Sequence, residues 1–233
     1  MLPPVAELKR IALDLLFPRY CINCGREGDF ICDRCRRLLS LILPPVCKKC
    51  GRPLSAGPEC DRCIEEQIEL DGVRAPFAFD GLVRQAVHQL KYRNIRALAG
   101  TFAVFLKDCL DKHVINADVL VPVPLHPRRL RERGYNQSAL LARELGRLSG
   151  LPVIENSLVR LMHTPPQAQS SGVDERRRNI AGAFKCLDDR FQGKRVLLID
   201  DVATSGSTLN TCAVELKACG VVSVWGLVIA LEL

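Results

Sequence analysis

The residues best suited to chemistry lie in the stretch 194–209, where two adjacent carboxylates precede a run of small hydroxyl side chains. Asp200 and Asp201 directly follow an apolar run over 196–199, and the hydroxyls of 204–208 surround one glycine. A strand, a hydroxyl-rich turn and a helix N-terminus together form a cradle for an anion. Because two acids would repel a bare phosphate, we expect them to accept hydrogen bonds from sugar hydroxyls or to meet a cation. The stretch therefore predicts a site for a ribose 5-phosphate.

A nucleoside triphosphatase is the other class of protein in which an apolar strand ends in two acids. That class needs the motif G-x-x-x-x-G-K-[ST], which the sequence does not contain. The nearest candidate is Gly193-Lys194, and Asp188 stands where its first glycine should be. The sequence therefore excludes this class.

Eight of the twelve cysteines lie before residue 64, in four C-x-x-C pairs. Four thiolates bind zinc tetrahedrally, and a glycine after the second cysteine, as at Gly25 and Gly51, is typical of a zinc knuckle. Two zinc ions are predicted, and their binding should be coupled to the folding of this region. Sequential pairing of the four C-x-x-C units gives the shorter connections, while pairing of the first with the third remains an alternative. The predicted ligands are Cys21, Cys24, Cys32, Cys35, Cys47, Cys50, Cys60 and Cys63.

Two further segments carry clusters of arginine. The loop predicted over 124–137 follows a strand over 118–123 and holds four arginines within six positions, which suits a pyrophosphate at the carboxyl end of a sheet. The segment 162–178 has no apolar period and contains Pro165-Pro166 and three consecutive arginines, and we predict a mobile lid there.

Residues 197–208 resemble the phosphoribosyl pyrophosphate (PRPP) loop of type I phosphoribosyltransferases, and nearly the whole chain resembles the ComF family of competence-associated proteins. The loop matches the ComF motif P-V-P-x-H-x-x-R-x-x-x-R-G-[FY]-N-Q. The lid matches T-x-x-Q, R-x-x-N and A-F at Thr164, Gln167, Arg176, Asn179, Ala183 and Phe184. Ser170 replaces a usual leucine, and Asn94 stands where a glycine is commoner.

The resemblance implies that PRPP binds together with magnesium and that Asp200, Asp201 and Arg176 are catalytic. Lys91, at the end of a predicted helix, would reach the pyrophosphate; the alternative for it is a solvated lysine at a helix C-terminus. The other implied PRPP-binding residues are Leu125, His126, Arg129, Arg133, Ala203, Thr204, Ser205, Gly206, Ser207 and Thr208.

The elements that must position these residues form an α/β fold: the Rossmann-like parallel sheet of a type I phosphoribosyltransferase with an N-terminal zinc-ribbon domain. We expect an N-terminal helix and double zinc ribbon over 1–70 and the phosphoribosyltransferase-like domain over 71–233. Strands are predicted over 73–79, 118–123, 152–161, 196–199 and 221–231. Helices are predicted over 82–92 and 137–150 and before Gly220.

Composition and charge limit the ligands and the cellular location that we expect for the protein. The 233 residues carry a formal charge of +7, and six of these surplus positive charges lie in 71–233. Charge of this size suits a pyrophosphate, a nucleic-acid backbone or solubility alone. The first 17 residues contain four charged side chains and do not predict a secretory signal, and no apolar run approaches the length of a membrane span. We therefore expect a soluble cytoplasmic protein with no membrane insertion.

The sequence is compatible with three functions. The first is transfer of a phosphoribosyl group from PRPP to an unknown nitrogen acceptor, in a protein linked to DNA uptake and competence. The second is a non-catalytic PRPP-sensing factor that binds single-stranded DNA. The third is a structural adaptor whose ribbons contact other proteins, such as those of the competence machinery.

Overall fold

The computed structural model describes residues 18–66, 68–93, 95–162 and 182–233. The chain divides into two compact units, Met1–Leu39 and Ser40–Leu233. The predicted N-terminal helix lies outside the described residues, as does the lid predicted over 162–178, with Arg176, apart from Met162.

The described part of the first unit is a small cysteine-bearing fold. A bridge between Tyr20 and Glu27 closes the turn that carries the first C-x-x-C pair. The short helix α1 (Asp33–Arg36) carries the last cysteine of the second pair, and Ile31 is fully buried between the pairs.

The second unit begins with the third and fourth C-x-x-C pairs. A bridge between Val46 and Pro53 closes the turn of the third pair, and helix α2 (Asp61–Glu65) carries the end of the fourth. We call residues 46–65 the second ribbon. It is part of the same compact unit as the large sheet. The boundary at residue 70 stays a prediction about which part of the chain folds independently.

The described strands are β1 (Gly72–Arg74), β2 (Phe77–Ala78), β3 (Val119–Pro122), β4 (Leu158–Arg160), β5 (Phe184–Cys186), β6 (Arg195–Ala203) and β7 (Ser223–Leu231). The large sheet consists of parallel strands in the order β1, β7, β6 and β3, with β2 also paired to β7. A smaller antiparallel pair is formed by β4 and β5.

Among the described residues, five longer helices accompany the strands. Apolar positions at helical spacing explain the packing of all of them except Pro127–Arg133, which buries no residue. In the last of them, Leu209, Cys212, Ala213 and Leu216 are almost completely buried and join the core formed with β3, β6 and β7. The helices are α3 (Gly81–Tyr92), α4 (Leu98–Lys112), α5 (Pro127–Arg133), α6 (Gln137–Ser149) and α7 (Ser207–Ala218).

The predicted parallel α/β sheet with an N-terminal zinc-ribbon region is confirmed, but several local predictions need correction. The strand predicted over 73–79 is split into β1 and β2, and the strand predicted over 152–161 is reduced to β4. The loop predicted over 124–137 contains α5, which begins at Pro127 after a capping His126 and ends at Gly134 in the left-handed conformation. Helix α4 has no counterpart in the predictions.

The most consequential correction concerns β6. The strand predicted over 196–199 continues through both carboxylates to Ala203, because β7 runs alongside it and pairs Asp200 with Val228 and Ala203 with Leu231. On the other side β3 ends earlier, at Pro122 opposite Ile199. Asp200 and Asp201 therefore lie beside the open end of β3.

Among the described residues, no helix is both long enough and apolar enough to cross a membrane.

Candidate functional site

The carboxyl ends of the parallel strands meet at one edge of the sheet, which is where ligands bind in open α/β folds. The segment 123–137 leaves β3 there, and the hydroxyl-rich turn leaves β6 there. Asp200 and Asp201 lie between these two connections.

Asp200 is held by two donors. The Ser138 hydroxyl donates to its Oδ1 over 2.7 Å, and the N–H of Asp201 donates to the same oxygen over 2.9 Å. Burial, and next the neighbouring charge of Asp201, raise the pKa of Asp200 to about 7. A carboxyl with this pKa exchanges a proton near neutral pH, so the charge of the pair responds to what binds beside it.

Asp201 is 3% exposed and forms an ion pair with Lys91, whose Nζ lies 2.8 Å from Oδ1. Its other oxygen, Oδ2, is buried and has no hydrogen-bond partner among the described residues. A buried carboxylate oxygen without a partner is costly. Oδ2 is therefore a position at which a ligand hydroxyl or a cation would be stabilised.

Lys91 thus differs from the solvated lysine considered as an alternative, since its side chain is only 23% exposed and is paired with a buried acid. It lies in the last turn of α3, next to Leu90, whose carbonyl accepts a hydrogen bond from the Tyr135 hydroxyl. The contact joins α3 to the segment 123–137. Contact of Lys91 with a pyrophosphate stays a prediction.

The turn after β6 has the conformation expected of an anion cradle. Gly206 has a φ of 76°, in the left-handed region that favours glycine, and α7 begins at the next residue. The hydroxyls of Ser205 and Ser207 lie 2.7 Å apart, and Thr204 and Ser205 are exposed. Within the described chain, the backbone N–H groups of Ser205 and Gly206 donate no hydrogen bond. Ala203 is the buried last residue of β6, and Thr208 lies in the first turn of α7.

Helix α5 presents the arginines of the segment 124–137. Arg133 donates to the Gln137 side chain and lies over the Tyr92 ring, 5.1 Å from its centroid. The backbone N–H of Arg128 donates to the His126 ring, which caps the helix. The fixed geometry of this segment therefore comes from α5 rather than from an irregular loop.

Asn136 connects this segment to the carboxylates. Its side chain caps α6 by accepting from the Ser138 N–H over 2.9 Å, and it donates to the Val123 carbonyl over 3.0 Å. Because the capped residue is Ser138, the same cap fixes the hydroxyl that donates to Asp200. Nothing in the local sequence around Ser138 indicated this role, although its position directly after the N-Q of the motif is a signal that could have been used.

Arg160, at the end of β4, is a second residue that sequence reasoning missed. Burial lowers its pKa, the charge of Arg129 lowers it further, and Asp200 opposes the shift. Arg160 therefore lies within electrostatic range of two predicted site residues, Arg129 and Asp200. Arg160 also packs over the Phe184 ring at 5.3 Å.

The cysteines form two separate tetrads, each with its sulfur atoms within 4.8 Å of one another. The tetrads combine the first pair with the second and the third with the fourth, so the sequential pairing is confirmed. Burial opposes the thiolates of Cys21 and Cys47, but surrounding backbone N–H groups outweigh it and lower the pKa of each to about 6. Four clustered cysteine sulfurs are the ligand set of a structural zinc ion, so each tetrad fits one such ion.

Comparison with known proteins agrees with this arrangement. Residues 12–64 match the family described as a double zinc ribbon domain. The chain is 30% identical over 223 residues to competence protein F of Haemophilus influenzae, covering 89% of this chain and 95% of that protein. The chain belongs to the ComF family.

Other ComF relatives match over most of their length. Competence protein ComFC of Bacillus subtilis is 30% identical over 199 residues, which cover 81% of this chain and 78% of that protein. DNA utilization protein YhgH of Salmonella typhimurium is 31% identical over 204 residues, which cover 84% of this chain and 88% of that protein.

Among solved structures, this ComF chain is similar to the glutamine PRPP amidotransferase from B. subtilis complexed with ADP and GMP. The sequences are 18% identical, the similarity covers 61% of this chain and 26% of that chain, and the TM-score is 0.38. At this low score, the fold assignment rests on the parallel sheet and on family membership.

Proposed function

We propose that this ComF-family protein binds PRPP with magnesium at the carboxyl end of β6 and transfers the phosphoribosyl group to a nitrogen acceptor. The observation that carries the proposal is the pair Asp200 and Asp201 beside the hydroxyl turn. One oxygen of the pair is buried without a partner in the described residues, and two backbone N–H groups of the turn have no acceptor there. The diol of a ribose 5-phosphate can donate to the unpartnered carboxylate oxygen, and its phosphate can accept from the two N–H groups.

In this proposal each part of PRPP meets a different segment. The ribose diol donates to the carboxylates, and the 5-phosphate accepts from the N–H groups and hydroxyls of 203–208. The pyrophosphate is neutralised by the cationic segment 125–133, by Arg176 and by Lys91. Magnesium would be held by the carboxylates and the ligand oxygens, and it would supply positive charge to the departing pyrophosphate.

The proposed reaction breaks the bond between the anomeric carbon and the pyrophosphate oxygen and forms a bond from that carbon to the acceptor nitrogen. The nitrogen releases its proton, and pyrophosphate leaves with the bonding pair. Positive charge grows on the ribose in an oxocarbenium-like transition state. The carboxylates stabilise that charge, and removal of one such contact typically costs about 2 to 4 kcal/mol.

The pKa of Asp200 gives the site a pH dependence. Binding of a cation or of hydroxyl donors favours the ionised form, so ligand binding should release a proton near pH 7. Affinity for PRPP with magnesium should therefore rise as the pH increases through about 7 and level off above it.

The names of the relatives support a cellular setting for the proposal. Competence protein F, ComFC and YhgH are named for competence and DNA utilization. We place the activity in the cytoplasm, in DNA uptake or in the use of imported DNA, with proteins of the competence machinery as partners.

Turnover tests the proposal. Zinc-loaded protein is incubated with magnesium, PRPP and a panel of nucleobases, nucleosides and amines, and pyrophosphate release is measured. The expected result is release that depends on at least one acceptor and disappears in the Asp200→Asn, Asp201→Asn double variant. Failure of every acceptor, or equal release by parent and variant, would contradict phosphoribosyl transfer.

A non-catalytic PRPP-sensing factor that binds single-stranded DNA is the second candidate. The observation that favours it is the surface of α5, where Arg128 and Arg131 are exposed next to the half-buried Arg129 and Arg133. Clustered arginines at a surface suit a nucleic-acid backbone. In this alternative, PRPP would occupy the same site and alter DNA binding instead of reacting.

A further inference from the structure

The second ribbon contacts the turn after β6 through two arginines. Arg52 Nη2 donates to the Thr204 carbonyl over 2.6 Å and to the Glu232 carbonyl over 3.0 Å. Arg62 Nη2 donates to the Ser205 carbonyl over 2.9 Å. Two consecutive carbonyls of the turn are therefore each bound by a guanidinium.

These contacts determine the direction of the N–H groups in the same peptides. In a trans peptide, the C=O of one residue and the N–H of the next point in opposite directions. When the carbonyls of Thr204 and Ser205 face the ribbon, the N–H groups of Ser205 and Gly206 face away from it. These are the two N–H groups without an acceptor in the described residues.

The arginines also affect the strength of these donors. A hydrogen bond from a charged group to a carbonyl polarises the peptide and strengthens its N–H as a donor. The two guanidinium groups further place positive charge behind the turn. Direction, polarisation and charge all favour an anion on the opposite face of the turn.

Both arginines lie close in sequence to cysteines of the second tetrad. Arg52 follows Cys50 by two residues, and Arg62 directly precedes Cys63. The ribbon is itself seated tightly on the sheet: the Val73 N–H donates to the Lys49 carbonyl over 2.7 Å, and a Cβ at Gly51 would lie 2.5 Å from the Val73 oxygen.

Resting on the proposed function, we infer that Arg52 and Arg62 are positioning residues that hold the turn 204–206 in its phosphate-binding conformation. The second zinc ribbon is thereby part of the ribose 5-phosphate site, although neither arginine contacts the ligand. This gives the second tetrad a role in ligand affinity.

The test compares Arg52→Met, Arg62→Met and the double variant with Lys48→Met in the full zinc-loaded chain. Lys48 is an exposed cation of the same ribbon whose side chain makes no hydrogen bond or ion pair with the described residues, so its removal controls for the loss of a positive charge. Calorimetry measures the affinities for ribose 5-phosphate and for pyrophosphate, each with magnesium. Relaxation of the ¹⁵N-labelled amides of Ser205 and Gly206 measures their order without ligand.

Each arginine variant should weaken ribose 5-phosphate binding about tenfold or more, which corresponds to about 1.4 kcal/mol. Pyrophosphate affinity, zinc content and the behaviour of Lys48→Met should match the parent, and the two amides should become more mobile. Arg52→Lys should recover only part of the loss, because an ammonium cannot span two carbonyls as a guanidinium does.

Unchanged amide order in the double variant would overturn the inference, as would equal weakening of pyrophosphate and ribose 5-phosphate. If the parent binds no ribose phosphate at all, the proposed function fails. The amide relaxation then decides the positioning role by itself, since it needs no ligand.

Discussion

Asp200 and Asp201 are adjacent residues of one strand, yet they have different partners. Ser138 donates to Asp200, whereas Lys91 pairs with Asp201. Successive side chains of a strand point to opposite faces, which explains how neighbours meet separate groups. At the scale of single residues, the site combines a carboxyl that titrates near neutral pH with a carboxylate that a lysine neutralises.

The raised pKa of Asp200 predicts a stabilising substitution. Because its pKa is about 7 when folded and near 3.9 when unfolded, its contribution to stability is present at low pH and is lost as the pH rises through about 7. Asp200→Asn should therefore raise the free energy of unfolding at pH 8 by on the order of 2 kcal/mol and change it little at pH 4. Thermal unfolding at the two pH values measures this.

Asp118→Asn is a matched control, because the contribution of Asp118 to stability depends on pH in the opposite direction. Hydrogen bonds from Arg195 lower the pKa of Asp118 to about 2, so its contribution to stability is present above about pH 4 and is lost as the pH falls through 2. This control should destabilise the protein at pH 8. A stability of Asp200→Asn that is equal to the parent at pH 8 would show that Asp200 is not under strain there.

Lys91→Met should destabilise the protein by about 2 kcal/mol, because it leaves the buried charge of Asp201 without its partner. Urea unfolding of the single variants and of Lys91→Met with Asp201→Asn measures the coupling. Removal of both partners should restore much of the lost stability. Additive losses would contradict an ion pair between them.

Residues of this site differ in how far the sequence reveals them. The acids and the hydroxyl turn are contiguous, so their spacing predicts a ribose phosphate site. Ser138 and Arg160 belong to other elements, and their proximity to Asp200 depends on packing between distant segments. Such proximity has no local signal in a single sequence.

At the scale of elements, apolar runs predicted buried strands in a parallel sheet, but they did not predict where those strands end. Strand β6 exceeds its apolar run because β7 provides backbone partners for the acidic residues as well. Helix α5 was missed because a cluster of arginines has no apolar period. The contact of the second ribbon with the turn 204–206 was missed for a further reason: it joins residues about 150 positions apart.

The second ribbon predicts a link between metal content and ligand binding. Cys60→Ser should lose one zinc ion per chain and weaken ribose 5-phosphate binding, because Arg52 and Arg62 then lose their fixed positions. Zinc titration with a chromophoric chelator and calorimetry measure the two effects. Cys24→Ser, in the other tetrad, is the control and should lose one zinc ion with little change in affinity. Equal affinity in Cys60→Ser and the parent would contradict the link.

At the scale of the whole molecule, charge separates the two candidate functions. The chain carries +7 overall, and exposed arginines of α5 lie at the edge of the sheet that holds the carboxylates. If the protein binds single-stranded DNA there, the affinity falls steeply with salt as phosphate contacts release counterions. Neutralising Arg128 and Arg131 together should reduce the slope of log affinity against log salt by about 1.4. A slope that does not change would place any DNA contact elsewhere.

Calorimetry measures whether Asp200, Asp201 and the turn after them bind PRPP. Magnesium and PRPP are titrated into the zinc-loaded parent and into the Asp200→Asn, Asp201→Asn double variant, with thermal unfolding as a check that both are folded. We expect saturable binding by the parent and none by the variant. Equal binding by both, or no binding by the folded parent, would contradict it.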